Sequence, residues 1–350
     1  MLADDSILPS LVVTTLAIQA AAVLVSGVVE VATDRVDHPH LLGLGAGLGV
    51  VAFLLRSWGR EPRRARRSTV LPGLAAMWAL TVAIATVVFT LAQSVVLLDA
   101  VTESVSGITT LATTSVDPDQ LNHGTILYRS LLQWLGGLLM INTVLVIMPT
   151  FGTTRGAHEE LSPSGSMALL GPTSSRRSDV VNLVYLALTV LIAVAYAVAG
   201  MPLWDSANHA LTTVSTGGHT VSSQGFSAYG AAVQWVAILG MALAGLGVMW
   251  LAVAARGNRR RAFEATELRF YLVASVLVGA VIAMGTSAAG WSDAVRGGLF
   301  AAMSAVSTTG FVTEGWAATE PLGQMLLIML FGVGAAAGSA GGGFGAVSYT

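Results

Sequence analysis

The sequence contains no cysteine and no lysine, and only 10% of its 350 residues are charged. The absence of cysteine excludes disulfides, thiolate metal sites and cysteine nucleophiles from this chain. The formal net charge of -2 excludes a general electrostatic attraction to nucleic acid. Soluble domains carry about 25% charged residues, so water is not the main solvent around this chain.

Long apolar runs are abundant instead, and 54% of the residues are hydrophobic. A membrane-spanning helix needs about 20 predominantly apolar residues. The sequence therefore predicts an all-α integral membrane protein with eight transmembrane helices, at residues 7–32, 41–58, 71–97, 125–148, 180–200, 231–255, 270–285 and 322–337. No positive residue precedes the first run, so we expect a retained span rather than a cleaved signal peptide.

The 17 arginines are unevenly distributed along the chain. Fourteen of them fall in the connections that follow the second, fourth and sixth spans, within residues 56–67, 155–177 and 256–269. Positively charged connections stay on the cytoplasmic side of a membrane. The bias predicts a multi-pass protein of the plasma (cytoplasmic) membrane with both termini in the cytoplasm.

The three long outward connections share a short motif, in residues 106–112, 212–218 and 304–310. Each copy reads hydroxyl residue, small residue, β-branched aliphatic, hydroxyl residue, Thr, a variable residue, and finally Gly or Ala. The copies recur at intervals of 106 and 92 residues. A repeat of such a long period indicates three equivalent structural units.

An aspartate precedes the last position of each copy, by 13, 13 and 17 residues. An aspartate at the start of a short helix caps free N–H groups and stabilises the positive end of the helix dipole. We therefore predict three pore helices capped by Asp99, Asp205 and Asp293, each with its negative C-terminal end directed along the motif. The four extra residues in the third connection correspond to about one helical turn.

The Thr- and Gly-rich composition of the motif suits a cation. Irregular backbone at membrane depth is tolerated only where it lines a protein or water cavity, and a ring of backbone carbonyls can replace the hydration shell of a potassium ion. Alternatively, Ser, Thr and Gly tighten helix packing, but three copies in register favour the pore. The predicted ion filter comprises Thr109, Thr110, Ala112, Thr216, Gly217, Gly218, Thr308, Thr309 and Gly310.

The chain resembles the Trk/Ktr/HKT superfamily of potassium transporters, most closely its bacterial TrkH branch. The similarity covers nearly all the chain from Leu71 to Gly343, and the first two spans resemble the extra N-terminal helix pair of that branch. Its clearest stretches are Asp99-Ala100, Glu103-Ser-Val-Ser-Gly-Ile-Thr-Thr, Ile126-Leu-Tyr-Arg-Ser-Leu-Leu-Gln-Trp-Leu-Gly-Gly, Val214-Ser-Thr-Gly-Gly, Ser307-Thr-Thr-Gly-Phe and Gly338-Ser-Ala-Gly-Gly-Gly.

The resemblance implies span, pore-helix, span units around one central pore that takes up potassium, with three re-entrant hairpins in this chain. It divides the chain into an N-terminal two-helix hairpin (1–68) and three pore units (69–150, 151–256 and 257–350). It also implies an intramembrane gate formed by a glycine-rich break in the second span of the third unit, at Gly338, Ser339, Gly341, Gly342 and Gly343. Potassium is then the substrate, and we expect no cofactor in this chain and no enzymatic activity.

The resemblance further implies partners besides the lipid bilayer. The family forms homodimers whose cytoplasmic face docks a ring of nucleotide-binding regulatory subunits of the TrkA and KtrA kind. The basic connections, especially residues 259–261, are candidates for that face. Anionic lipid is an equally good partner for them.

Two departures from the family leave the function open. The family has four pore units and this sequence ends within the gating region of the third, so we expect a truncated copy, a pore completed by a second polypeptide, or a non-conducting subunit. Ala112 stands where the family's first loop has Gly, and plant relatives with a non-Gly residue there tend toward sodium. A sodium-permeable cation transporter is therefore an alternative to a potassium transporter.

Other function classes fit the sequence less well. An intramembrane hydrolase needs a base beside its nucleophile, and no Ser sits in a Gly-x-Ser-x-Gly motif followed by a suitable His. A carrier built from inverted repeats conflicts with three units that run in the same direction.

Three polar residues that fall in apolar stretches have two interpretations each. Glu103 holds the first pore helix in place by hydrogen bonds, which we favour, or binds ions at the outer mouth. Arg129 snorkels to the interface or pairs with Glu103 or Asp99. His209 is expected to be a packing residue of the second pore helix rather than a proton relay.

Overall fold

The computed structural model describes residues 8–34, 40–58, 67–93, 95–151, 174–257, 266–286, 290–313, 321–335 and 339–342. Within these ranges the chain forms twelve α-helices and two short 3-10 helices, and no strand. The predicted all-α class is confirmed.

The helices follow one another in an order of long and short elements. The first pair is α1 (Leu8–Thr33) and α2 (His40–Leu55). The remaining helices are α3 (Arg67–Gln93), α4 (Leu97–Ile108), α5 (His123–Phe151), α6 (Ser174–Val198), α7 (Leu203–Val214), α8 (Ala231–Gly245), α9 (Val248–Ala255), α10 (Thr266–Gly285), α11 (Trp291–Val306) and α12 (Pro321–Val333).

Helices occupy all eight regions where spans are predicted. By length and composition, three stretches of the described chain are long and apolar enough to cross a membrane: Leu8–Thr33, Leu71–Ala92 and Ser178–Val198. The pair α8 and α9 makes a fourth if its two bent halves count as one span. The count of eight spans stays a prediction.

The predicted sixth span, residues 231–255, is not one continuous helix. It breaks between α8 and α9, whose axes differ by 86°. Gly247 precedes α9 with φ of +92°, a left-handed conformation that glycine adopts without steric cost. Gly245 and Gly247 are the sequence signal for this break. The predicted span ignores them because they lie within a continuous apolar run.

The described chain separates into two compact units. The first comprises residues 1–109 and 113–132, and the second comprises residues 110–112 and 133–350. Helix α5 therefore contributes its first ten residues to the first unit and the rest to the second. The predicted division into a hairpin and three pore units stays a prediction.

Close helix contact organises the first unit. A Cβ on Gly27 of α1 would lie 2.5 Å from the Leu42 backbone nitrogen of α2. Glu30 of α1 is buried, and its carboxylate accepts hydrogen bonds from the Leu41 backbone N–H (3.3 Å) and from Asn122 Nδ2 (2.9 Å). The N-terminal helix pair is thus joined to the start of α5 within this unit.

A buried aromatic cluster forms the centre of the second unit. Phe226 packs on Phe311 and Phe300, with ring centroids 4.6 Å and 5.4 Å apart. The Phe226 backbone N–H also donates to the Val312 carbonyl at 3.1 Å. These contacts join the segments that follow the second and third copies of the motif, so they fix those two segments against each other.

Two adjacent glycines of α11 predict opposite effects of the same substitution. A Cβ on Gly298 would lie 2.2 Å from the Gly279 carbonyl oxygen of α10, whereas a Cβ on Gly297 meets no atom within 4 Å. We expect Gly298→Ala to destabilise the protein by about 1–3 kcal/mol through overpacking. Gly297→Ala should stabilise it by roughly 0.5–1 kcal/mol, because alanine favours a helix more than glycine does.

The measurement is the free energy of unfolding of both variants in the same detergent. Equal effects at the two positions would show that α10 and α11 do not approach through Gly298.

Candidate functional site

Three short helices end at the same position of the repeated motif. Helices α4, α7 and α11 end at Ile108, Val214 and Val306, the β-branched residue of each copy. Helices α4 and α7 have 12 residues each, and α11 has 16. One additional turn of α11 therefore accounts for the wider spacing of its aspartate.

The predicted capping role of the aspartates is wrong. The residues at the N-cap positions are Val96, Pro202 and Gly290, and none of them makes a side-chain capping bond. The aspartates lie three residues further on, in the first turn of each helix: Asp99, Asp205 and Asp293. There they still face the positive end of the helix dipole, but a residue inside the first turn cannot occupy the N-cap.

Two of these carboxylates bind other side chains instead of capping a helix. Asp205 Oδ2 accepts a hydrogen bond from the Tyr229 hydroxyl at 2.9 Å. Burial raises the pKa of Tyr229, and the Asp205 carboxylate beside it adds to the effect, so the hydroxyl stays protonated and donates. Asp293 pairs with Arg296 one turn along α11, at 2.8 Å.

A strained threonine follows each of the three helices at the fifth motif position. Thr110, Thr216 and Thr308 have φ of +56°, +53° and +57°, and no other described residue apart from glycine has a positive φ. This conformation is a genuine outlier for a β-branched residue and costs about 1–3 kcal/mol at each site. The sequence does not predict this conformation, because a β-branched residue disfavours a positive φ.

The last positions of the three copies meet in the second unit. The Ala112 Cβ lies 2.8 Å and 2.6 Å from the places that a Cβ would take on Gly218 and Gly310. A Cβ on Gly218 would also lie 1.8 Å from the Thr309 carbonyl oxygen. Both glycines have positive φ, of +75° and +80°. The structure thus brings Ala112, Gly218, Thr309 and Gly310 together around one narrow space.

Hydroxyl groups of the predicted filter residues are used locally. Thr109 Oγ1 donates to the Val105 carbonyl at 2.6 Å, and Thr216 Oγ1 donates to the Ser215 carbonyl at 2.7 Å. The Ser307 and Thr309 hydroxyls lie 2.7 Å apart. Because these side chains have protein partners, backbone carbonyls are the better candidates for ion ligands.

Gln133 contacts the second loop directly. Its Nε2 donates to the Gly217 carbonyl oxygen at 2.6 Å, and its Oε1 accepts from the His219 backbone N–H at 3.2 Å. A Cβ on Gly217 would lie 2.4 Å from the side-chain amide of Gln133. Sequence reasoning placed Gln133 in a span and gave it no role.

Buried tyrosines lie behind the second and third loops. The Tyr185 hydroxyl donates to the Trp134 carbonyl at 3.0 Å, and the Tyr271 hydroxyl donates to the Met241 carbonyl at 3.3 Å. Each hydroxyl also lies beside a glycine that faces the fourth residue of a motif copy, Gly137 facing Ser215 and Gly245 facing Ser307. A buried tyrosine hydroxyl beside a glycine is therefore found behind both loops.

Two residues of the predicted gate, Gly341 and Gly342, lie beside the third loop. The Gly342 backbone N–H donates to Thr308 Oγ1 at 3.1 Å, and the Gly342 carbonyl accepts from the Ala335 N–H at 3.1 Å. A Cβ on Gly341 would lie 2.8 Å from Thr308 Oγ1. Ser339 is buried. Gly338 and Gly343 lie outside the described residues.

In the first unit, Glu103 and Arg129 form a buried ion pair with side-chain exposures of 1% and 3%. Arg129 Nε donates to Glu103 Oε2 at 3.0 Å. The other carboxylate oxygen accepts from the Ser115 backbone N–H at 2.9 Å and from the Thr114 hydroxyl, which also accepts from Arg129. These contacts agree with two of the interpretations that the sequence allows: Glu103 holds α4 in place by hydrogen bonds, and Arg129 pairs with Glu103.

His209 is buried in α7 and packs as expected. Its Nδ1 lies 2.8 Å from the Asp205 carbonyl oxygen, and its ring lies 5.0 Å from that of Phe226 and 5.5 Å from that of Tyr229. This environment is apolar and aromatic, which suits a packing residue.

Apolar helices long enough to cross a membrane and three short helices whose following loops meet define an all-α membrane protein. Residues 50–347 match the family of cation transport proteins called TrkH. The chain belongs to this family. Its recognition as a member of the Trk/Ktr/HKT superfamily, closest to TrkH, is confirmed.

Similarity to known proteins and to a solved structure supports the family assignment. The chain is 27% identical over 312 residues to the Trk system potassium uptake protein TrkH of Halomonas elongata, and 30% identical over 257 residues to TrkI of the same organism. These matches cover 86% and 71% of this chain but only 64% and 51% of the relatives. The crystal structure of the potassium transporter TrkH from Vibrio parahaemolyticus shares the fold, with a TM-score of 0.81 at 23% identity over 96% of this chain and 71% of that chain.

Proposed function

We propose that the chain takes up monovalent cations, potassium first, across the cytoplasmic membrane through a filter of backbone carbonyls. The observation that carries the proposal is the meeting of Ala112, Gly218 and Gly310 at the ends of three short helices. Family membership supports it, and the relatives are named as potassium uptake proteins.

The geometry supports a defined sequence of events. The C-terminal ends of α4, α7 and α11 carry partial negative charge, so each helix favours a cation beside the loop that follows it. Cations lose water to carbonyls of residues 109–112, of Thr216 and Gly218, and of residues 308–310. The Gly217 carbonyl is bound by Gln133. They then meet the glycine segment that contacts Thr308, which we assign as the gate.

The assembly implied by the family is part of the same proposal. We propose a homodimer in the bilayer with cytoplasmic nucleotide-binding regulatory subunits, since the relatives are named as members of a Trk system. The chain spans about half to two thirds of the length of these relatives.

A sodium-permeable site is the second candidate. The Ala112 methyl occupies the space beside Gly218 and Gly310, where a third glycine would leave room. A narrower site favours the smaller ion if cavity size controls selectivity.

The test is rubidium uptake by cells that lack their own potassium transporters. The chain is compared with a version that carries an added fourth pore unit and with an empty vector. Uptake by either version supports the proposal. Uptake by neither, with both proteins present in the membrane, would remove it.

Ala112→Gly tests the role of the methyl group. We expect the ratio of rubidium to sodium uptake to rise by about tenfold, the lower end of the discrimination that one methylene provides in a tight pocket. Ala237→Gly, the same change at a buried position of α8, controls for loss of stability. An unchanged ratio in Ala112→Gly would show that Ala112 does not line the constriction.

A further inference from the structure

Gln133 is fully buried, and its side-chain amide has two backbone partners in the second loop. The donor half binds the Gly217 carbonyl and the acceptor half binds the His219 N–H. These two groups stand on either side of Gly218. One side chain therefore fixes the peptide planes that flank the residue packed against Ala112 and Thr309.

The direction of the Gly217 carbonyl follows from this contact. At 2.6 Å from Gln133 Nε2, the carbonyl oxygen is bound by a side chain of α5. Gly217 was predicted as a filter residue, but its oxygen is held by the protein. The second loop thus presents its neighbours Thr216 and Gly218 to an ion.

We propose that Gln133 is a positioning residue that determines ion specificity by keeping the Gly217 carbonyl out of the site. The proposal rests on the proposed function. A carbonyl released from Gln133 is free to rotate about the flexible Gly217-Gly218 pair and to add an oxygen to the site. An added oxygen in the same space narrows the site, and a narrower site favours sodium if cavity size controls selectivity.

Two variants separate this role from simple packing. Gln133→Met keeps the approximate length of the side chain and removes both hydrogen bonds. Gln133→Glu keeps the acceptor for the His219 N–H but replaces the donor to Gly217 with a second oxygen. Burial raises the pKa of a carboxyl group, and the protonated Glu has an O–H donor that the ionised form lacks. Gln133→Glu should therefore resemble the wild type at acid pH and lose the preference at alkaline pH.

Gln234→Met is the matched control. Gln234 of α8 also donates to backbone carbonyls, those of Phe226 and Tyr229, at 3.0 Å and 3.2 Å. It accepts from Arg296 Nε at 2.8 Å. These partners lie outside residues 216–218, so this variant loses hydrogen bonds of the same kind without releasing Gly217.

The measurement is ion binding by the purified full chain in detergent. The midpoint of thermal unfolding is followed as RbCl or NaCl replaces choline chloride, because a ligand that binds the folded state raises the midpoint. We expect the ratio of rubidium to sodium affinity to fall by about fivefold in Gln133→Met, the scale of one lost hydrogen bond. The ratio should stay unchanged in Gln234→Met.

Each outcome decides a different question. A wild-type midpoint that does not respond to either cation would overturn the proposed function, and the inference with it. A wild-type preference that persists in Gln133→Met would overturn the inference alone. If Gln133→Met does not fold, Gln133→Glu decides: a ratio that falls between acid and alkaline pH supports the inference, and a ratio that is the same at both contradicts it.

Discussion

Gly218→Ala is expected to abolish rubidium uptake, because the new methyl group would lie 1.8 Å from the Thr309 carbonyl oxygen and 2.8 Å from the Ala112 Cβ. The nearest obstacle is backbone, which cannot rotate away as a flexible side chain can. Relief requires the second and third loops to separate, so the space between them loses its shape.

The cost of this substitution has two parts. The left-handed φ of +75° at Gly218 costs an alanine about 1–2 kcal/mol. Overpacking adds about 1–3 kcal/mol. Both uptake and the free energy of unfolding in detergent report the effect.

Gly200→Ala separates the two parts. Gly200 has φ of +100°, but a Cβ there meets no atom within 4 Å. It should show the conformational cost without loss of uptake. If both variants retain uptake, the close approach of Gly218 and Thr309 is absent from the functional protein.

Arg129→Met should produce the largest loss of stability in the first unit. It leaves the Glu103 carboxylate buried without its cation, and breaking a buried ion pair in this way costs about 3–5 kcal/mol. The Ser115 N–H and the Thr114 hydroxyl remain as partners of Glu103, but they cannot neutralise it. The free energy of unfolding in detergent measures the loss.

Glu103→Gln combined with Arg129→Met tests the interpretation as an ion pair. The double variant has no unpaired buried charge, and Gln retains an oxygen for the Ser115 N–H. Its stability should recover toward that of the wild type, because replacing both members of a buried pair is often neutral. Additive losses from the two substitutions would show that the charges do not interact.

Sequence reasoning succeeded where the signal is local. The repeated motif located the ends of α4, α7 and α11, since each copy passes from a β-branched residue to Thr and Gly at the same position. The wider aspartate spacing of the third copy anticipated the extra turn of α11. Both features depend on residues close together in the chain.

The features that it missed depend on residues far apart or on backbone detail. Gln133 and Gly217 are 84 residues apart, and nothing in their local sequences pairs them. The aspartates look like caps by composition, but the N-cap positions lie three residues earlier. The break at Gly247 was hidden because apolar composition continues across it.

Thr308 belongs to the third loop and also accepts the N–H of Gly342. The proposed filter and the proposed gate are therefore in direct contact at Thr308. An ion that stabilises the left-handed conformation of Thr308 also stabilises the hydrogen bond between Thr308 and Gly342. By linkage, that hydrogen bond strengthens ion binding by the same free energy. Under the proposed function, displacement of the glycine segment from Thr308 therefore alters how tightly the proposed filter holds its ion.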